Sequence, residues 1–212
     1  MLRTDAYRLF RDGLFEAKLR PGQFISQREL CALLDVPLGP LREALKRLEA
    51  DGLVQVLPQR GIRVTEVDRR FIRETFHLRR ILEADACRWY AEFGALDELR
   101  RIERATTKIL NRAGRNPGLA LLEEAFEVDW RLHDLLIEAQ DNRLIVEIHR
   151  VNTDKVKLIR LNGDFTPARV VPGMEEHLAV IEALLRRDAE RAVAALMHHF
   201  DVAEARSLGE MA

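Results

Sequence analysis

From Arg69 onward, apolar residues recur at intervals of three and four through six successive stretches, 69–93, 96–113, 117–140, 142–162, 173–187 and 189–207. Each is long enough to stand as one amphipathic helix. The joints between them are short and carry helix-stopping residues: Gly94, Gly114-Arg115-Asn116-Pro117, Asp141-Asn142, the run from Gly163 to Gly173 with Pro167 and Pro172, and Arg187-Asp188. Every stripe must be buried against another, and connections this short return consecutive helices antiparallel. Residues 69–212 are therefore expected to form an all-α, six-helix antiparallel bundle.

Residues 1–68 follow a different pattern. Residues 6–16 carry a helical stripe of Leu9, Phe10, Gly13 and Leu14, and Arg20-Pro21-Gly22 makes a turn because Pro fixes φ while Gly accepts a positive one. Ser26 is a good N-cap, with Glu29 at the capping-box position and Leu30, Leu33 and Leu34 following. A third helix is expected from near Pro40 to Ala50. It carries Leu41, Ala44, Leu45 and Leu48 on one face, Arg42 and Lys46 on the other, and Asp51-Gly52 as its stop. Val54-Gln55-Val56-Leu57 and Ile62-Arg63-Val64-Thr65 have strand character around a four-residue loop, Pro58-Gln59-Arg60-Gly61. Three helices and a hairpin predict a winged helix-turn-helix, so the chain as a whole is mainly α with a boundary at Asp68. Such a third helix fits a major groove, with Arg42 and Lys46 toward the DNA and Arg60-Gly61 at the wing tip near phosphates or the minor groove.

Bulk charge adds little to that expectation. Residues 1–68 hold 11 Lys+Arg against 10 Asp+Glu and the remainder 23 against 25, so a DNA-binding face must come from the placement of a few arginines. No apolar run approaches the roughly 18 residues of a membrane span. The charged N-terminus lacks the apolar block of a secretory signal, and a cytoplasmic protein is expected. Cys31 and Cys87 lie far apart, outside any C-x-x-C spacing, and read as buried small apolar residues.

In order, Leu19-Arg20-Pro21-Gly22, Leu30 to Leu34, Pro40-Leu41-Arg42-Glu43-Ala44-Leu45, Asp51-Gly52-Leu53-Val54 and Arg60-Gly61-Ile62-Arg63-Val64 resemble the DNA-binding domain of the GntR superfamily. The resemblance covers nearly all of residues 6–66 and implies that Arg28 and Arg42 contact operator DNA, with Gly61 at the wing contact. One departure stands out. The family's Ser/Thr-Arg-Thr-like triplet is replaced by Pro37-Leu38-Gly39, so its base-reading arginine has no counterpart at Leu38, and the expected half-site differs from the usual one.

In the bundle, Asp129 and His133 share the apolar stripe of Leu122, Phe126 and Leu136. An unpaired buried carboxylate costs several kcal/mol, so the pair needs a partner. That partner is a local hydrogen bond or a divalent ion, which i,i+4 spacing lets both residues chelate. His177 lies in line with Ile181, Leu184 and Leu185. On the last helix, whose apolar face is set by Val193, Leu196, Met197 and Phe200, His199 borders the interior and His198 faces solvent. The run Phe126-x-x-Asp129-x-x-Leu132-His133-x-x-Leu136, the Glu176-His177 opening of a helix and the spacing to His199 resemble the FCD ligand-binding domain of FadR-subfamily GntR regulators, in its six-helix, VanR-like branch. This resemblance implies one divalent ion on Asp129, His133, His177 and His199, and an effector contact at Arg79, four residues before Glu83. The alternative for Arg79 is a surface ion pair with Glu83. His77 and His149 have no place in the pattern and are expected to be structural or exposed.

The resulting expectation is a homodimeric, DNA-binding repressor rather than an enzyme. Its bundle binds a transition metal (Zn, Ni or Mn) and a small carboxylate effector, and thereby modulates binding to a palindromic operator. A regulator that senses the metal alone is the alternative. A metal hydrolase fits less well, because no Glu or His outside the ligand set is spaced as a general base and the winged helix would serve no purpose.

Overall fold

The computed structural model describes residues 3–15, 18–113, 118–163 and 169–210. Among them are nine helices and three strands: α1 (Arg3–Phe15), β1 (Phe24–Ile25), α2 (Gln27–Leu34), α3 (Leu38–Ala50), β2 (Val54–Leu57), β3 (Gly61–Val64), α4 (Arg69–Phe93), α5 (Leu96–Ala113), α6 (Leu119–Glu138), α7 (Arg143–Asn162), α8 (Val170–Leu185) and α9 (Ala189–Ser207). The mainly α fold, a winged helix-turn-helix and an all-helical second part, is as expected. Glu16, the Gly114-Arg115-Asn116-Pro117 joint and Pro167 lie outside the described residues.

The chain forms two compact units. The first extends through Ile72 and takes in α7 from Thr153 onward, and the second holds Arg73–Asn152 and the chain that follows α7. In the first unit, α1 turns Ala6, Tyr7, Phe10 and Leu14 into a core shared with Leu30, Leu41, Leu45, Leu48, Leu53, Ile62 and Val64, while Leu9 is only half buried. Ser26 caps α2 as expected: its Oγ accepts from Glu29 N–H, and Glu29 Oε2 accepts from Ser26 N–H. The Ser26 hydrogen bonds hold the Glu29 carboxyl below its ordinary value. Leu30 and Leu34 are buried, but Leu33 is exposed. Leu158 and, partly buried, Leu161 of α7 join this core, and Arg11 Nη2 donates to the buried Asp154 Oδ1 at 2.5 Å.

Five details of the sequence expectation are corrected. Helix α3 starts at Leu38, two residues before Pro40, and α8 starts at Val170, ahead of Pro172. In both, the proline sits at the third helical position, where no intrahelical acceptor is needed for its missing N–H. The wing loop is Pro58-Gln59-Arg60 rather than four residues, because Leu57 pairs with Gly61. The sheet has a third strand: β1 pairs antiparallel with β3 to give the order β1-β3-β2. Finally, Cys31 is only half buried, whereas Cys87 is buried, with desolvation pushing its thiol up to about 12.

The second unit packs α5, α6, α8 and α9 with most of α4 and the first half of α7. Asp188 caps α9 by accepting from Arg191 N–H, and Asn142 Oδ1 accepts from Leu144 N–H at the start of α7. The buried face of α9 is Ala192, Leu196, His199 and Phe200, with Val193 and Met197 half buried. The face is thus rotated toward His199 relative to the sequence expectation. No helix among the described residues is long and apolar enough to cross a membrane.

Candidate metal centre and nucleic-acid interface

Helix α6 places Asp129 and His133 one turn apart on its inner face, α8 contributes His177, and α9 contributes His199. All four are at least 96% buried, and their ligand atoms lie within 4.8 Å of one another. His177 Nε2 lies 3.0 Å from Asp129 Oδ1 and 3.2 Å from His199 Nε2. His133 Nε2 lies 3.7 Å from Asp129 Oδ1 and is buried without a hydrogen-bond partner among the described residues. Burial, reinforced by His177 and His133, holds the His199 imidazole well below its ordinary value, so its ring is neutral at pH 7. For His133, burial and Arg79 act downward, but the Glu83 and Asp129 carboxylates outweigh them and raise it. A buried set of imidazole nitrogens and one carboxylate, converging with one nitrogen lacking a partner, suits a divalent transition ion by geometry and by donor type. His198, next along the chain, is exposed, as expected.

Behind this set lies a second layer that sequence reasoning missed. Glu83 on α4 is fully buried, with His133 Nδ1 at 2.5 Å from its Oε2 and Arg79 Nε donating to its Oε1 at 2.8 Å. Burial alone would raise the Glu83 carboxyl, but Arg79 and His133 hold it well below the usual carboxylate range. Arg79 is buried too, with its guanidinium 4.5 Å above the Phe200 ring, so the pair with Glu83 exists but is not a surface pair. Only the Arg79 Nε is engaged by a hydrogen bond among the described residues. His149, on α7, is buried with Nε2 3.5 Å from Glu83 Oε1 and Nδ1 3.6 Å from Asp134 Oδ1, whereas His77 is exposed. On the far side, Glu176 contacts His199 Nδ1 at 2.8 Å and accepts from Arg206 at 2.6 Å, and burial raises its carboxyl despite that arginine. Glu176 could have been found from its place beside His177. No local pattern marks His149.

In the first unit, Arg28 on α2 and Arg42 and Lys46 on α3 are all exposed. Arg42 Nε donates to Gln27 Oε1 at 3.2 Å, which binds α3 to the start of α2, and Lys46 pairs with Glu43 at 2.9 Å. Gln27, Arg28, Cys31, Pro37, Leu38 and Arg42 line one shallow groove. Arg60 is exposed at the wing tip. Gly61 has a local reason of its own: at φ 112° a Cβ there would lie 2.6 Å from the Ile25 carbonyl oxygen, so only glycine lets β1 approach β3.

Residues 2–64 match the bacterial regulatory proteins of the gntR family, and residues 74–202 match the FCD domain. The chain belongs to the GntR family and carries an FCD domain. This GntR/FCD protein is a DNA-binding transcriptional regulator. It is 25% identical over 196 residues to the HTH-type transcriptional repressor RspR of Escherichia coli K12, a match covering 91% of this chain and 83% of RspR. The fold is shared with a GntR-type regulator from Rhodococcus sp. RHA1, at TM-score 0.80, 23% identity and 99% of each chain. The Zn2+-bound FCD domain of TM0439 is similar at TM-score 0.56 and 26% identity, covering 68% of this chain and 96% of that one.

Proposed function

We propose that this GntR/FCD regulator acts in the cytoplasm as a homodimeric repressor of a palindromic operator. In this reading its FCD unit binds one divalent transition ion (Zn, Ni or Mn) per chain together with a small carboxylate effector that alters operator affinity. The observation that carries the reading is the convergence of Asp129, His133, His177 and His199 within 4.8 Å in a fully buried setting. The likeness to a Zn2+-bound FCD domain supports it. A bound ion supplies a positive charge that Asp129 alone does not balance, and charge left unpaired in an interior is expensive. Arg79, with Nε held by Glu83, offers its terminal guanidinium nitrogens to an acid ligand as a second anchor. Exposed apolar side chains on α4 (Ile81, Phe93) and α7 (Leu144, Ile148) supply surface for a partner copy. On the DNA side, Arg28 and Arg42 read bases, while Lys46, Arg60 and the backbone at Gly61 meet phosphates.

Elemental analysis followed by calorimetry tests the reading. About one divalent ion per chain is expected. An organic acid that raises the melting temperature of metal-loaded protein should lose affinity after metal removal and in Arg79→Ala. Undiminished affinity without metal would refute the metal-bridged pose, and undiminished affinity in Arg79→Ala would remove that residue from the effector site. Metal alone changing operator affinity, with no acid having an effect, would favour a metal sensor.

A further inference from the structure

Two carboxylates stand on the outer sides of the histidine cluster and belong to no ligand set. Glu83 Oε2 meets His133 Nδ1 at 2.5 Å, and Glu176 Oε2 meets His199 Nδ1 at 2.8 Å. Each carboxylate uses its other oxygen to accept from an arginine, Arg79 Nε at 2.8 Å and Arg206 Nη2 at 2.6 Å. Two arms with the same order, arginine, carboxylate, imidazole, thus reach the cluster from α4 and from α8 and α9. A carboxylate only accepts, so in each neutral ring the hydrogen sits on Nδ1 and the lone pair falls on Nε2. Nε2 is the atom that faces the cluster, 3.7 Å from Asp129 Oδ1 in His133 and 3.2 Å from His177 Nε2 in His199. The other tautomer would present an N–H to the same space and could not ligate.

We propose that Glu83 and Glu176 are positioning residues of the metal centre, each fixing the tautomer and ring orientation of one imidazole and each held in place by its arginine. This rests on the divalent-ion reading of the cluster. Outer partners of ligating histidines act by raising ligand basicity and by removing the freedom of the ring to turn away, and their loss costs about 10–100-fold in metal affinity. The two arms differ in what their removal leaves behind. The Glu83 arm is fully buried, so Glu83→Ala strands a buried arginine and can fail to fold, whereas the Arg206 side chain is 21% exposed and remains solvated without Glu176.

The test uses the full chain in two forms. In metal-stripped protein at pH 8, long-range 1H–15N correlations should show His133 and His199 with hydrogen on Nδ1. Glu176→Ala should abolish that signature for His199 alone, whereas Glu176→Gln and Glu83→Gln should keep it for His199 and His133, because the amide oxygen still accepts. In chelator competition with Zn2+, Glu176→Ala should weaken binding by about 10–100-fold, with Glu176→Gln falling between it and wild type. Glu182→Gln, on the exposed Arg186 pair of α8, should bind as wild type does. Hydrogen on Nε2 of His199 in the wild type, or unchanged Zn2+ affinity in Glu176→Ala, overturns the positioning role and leaves the metal centre standing. Failure of the wild type to bind Zn2+ overturns the metal reading, and the positioning role with it.

Discussion

At the scale of single residues, a side chain's neighbours decide whether it supplies charge or specificity. Arg28 and Arg42 are exposed on the two helices that line the Leu38 groove, and replacing either by alanine should cost about 1–3 kcal/mol of operator binding if it reads a base. Arg60→Ala should instead weaken binding to all sequences and lower the salt slope by about one unit. Binding titrations on operator and random DNA at several salt concentrations separate the two, and an equal loss on both DNAs for Arg42→Ala removes it from base readout. His199→Ala should lose most of the bound metal while His198→Ala keeps it, measured by elemental analysis after dialysis, because one ring is buried in the cluster and the next is exposed. The four clustered residues were legible as polar side chains on apolar stripes, an arrangement costly enough to demand a partner. Glu83 was legible only as a partner for Arg79. That it lies against His133, 50 positions away, depends on the packing of α4 on α6, which no local pattern encodes.

At the scale of elements, termini were harder to place than faces. The buried positions of α3, Leu41, Ala44, Leu45 and Leu48, are those its periodicity gives, yet the helix starts at Leu38 rather than near Pro40. Proline signals the first turn of a helix without fixing which residue of that turn it occupies. Strand β1 has no signature of its own, since two residues show no alternation, and it exists through pairing with β3 rather than through its own propensity. The α2 cap was readable, since Ser26 and Glu29 act within four residues. Ser26→Ala should destabilise the first unit by about 0.5–2 kcal/mol, seen as a lower urea midpoint. Gly61→Ala should also destabilise it and weaken DNA binding, through lost β1–β3 contact rather than a lost phosphate contact. A variant with wild-type stability would refute the need for close approach at Ile25.

At the scale of the whole molecule, helix α7 serves both compact units. Its first half brings His149 to Glu83, and its second half places Leu158 in the core of α1 and α3 and Asp154 on Arg11. Apolar residues recur at helical spacing through all of 142–162, yet only the second half buries them, as Val156, Leu158 and Ile159, while the first half buries His149 and Asn152 and leaves Leu144 and Ile148 exposed. Leu158→Ala should cost the first unit about 2–5 kcal/mol, detectable as faster amide exchange at the buried positions of α3, although the change lies 90 positions from Asp68. Unchanged exchange there would mean that the first unit is complete without α7.

The same feature sets a clock on synthesis. A ribosome adding about 5–20 residues per second delivers Leu158 several seconds after residue 68 has been made. Until then the nascent winged helix lacks the part of its core and the Asp154 contact to Arg11 that α7 supplies, and that interval is when it is most exposed to proteolysis and to association with other unfinished chains. Slowing translation between residues 72 and 153 would lengthen this interval, whereas the same delay placed after residue 163 would leave it unchanged.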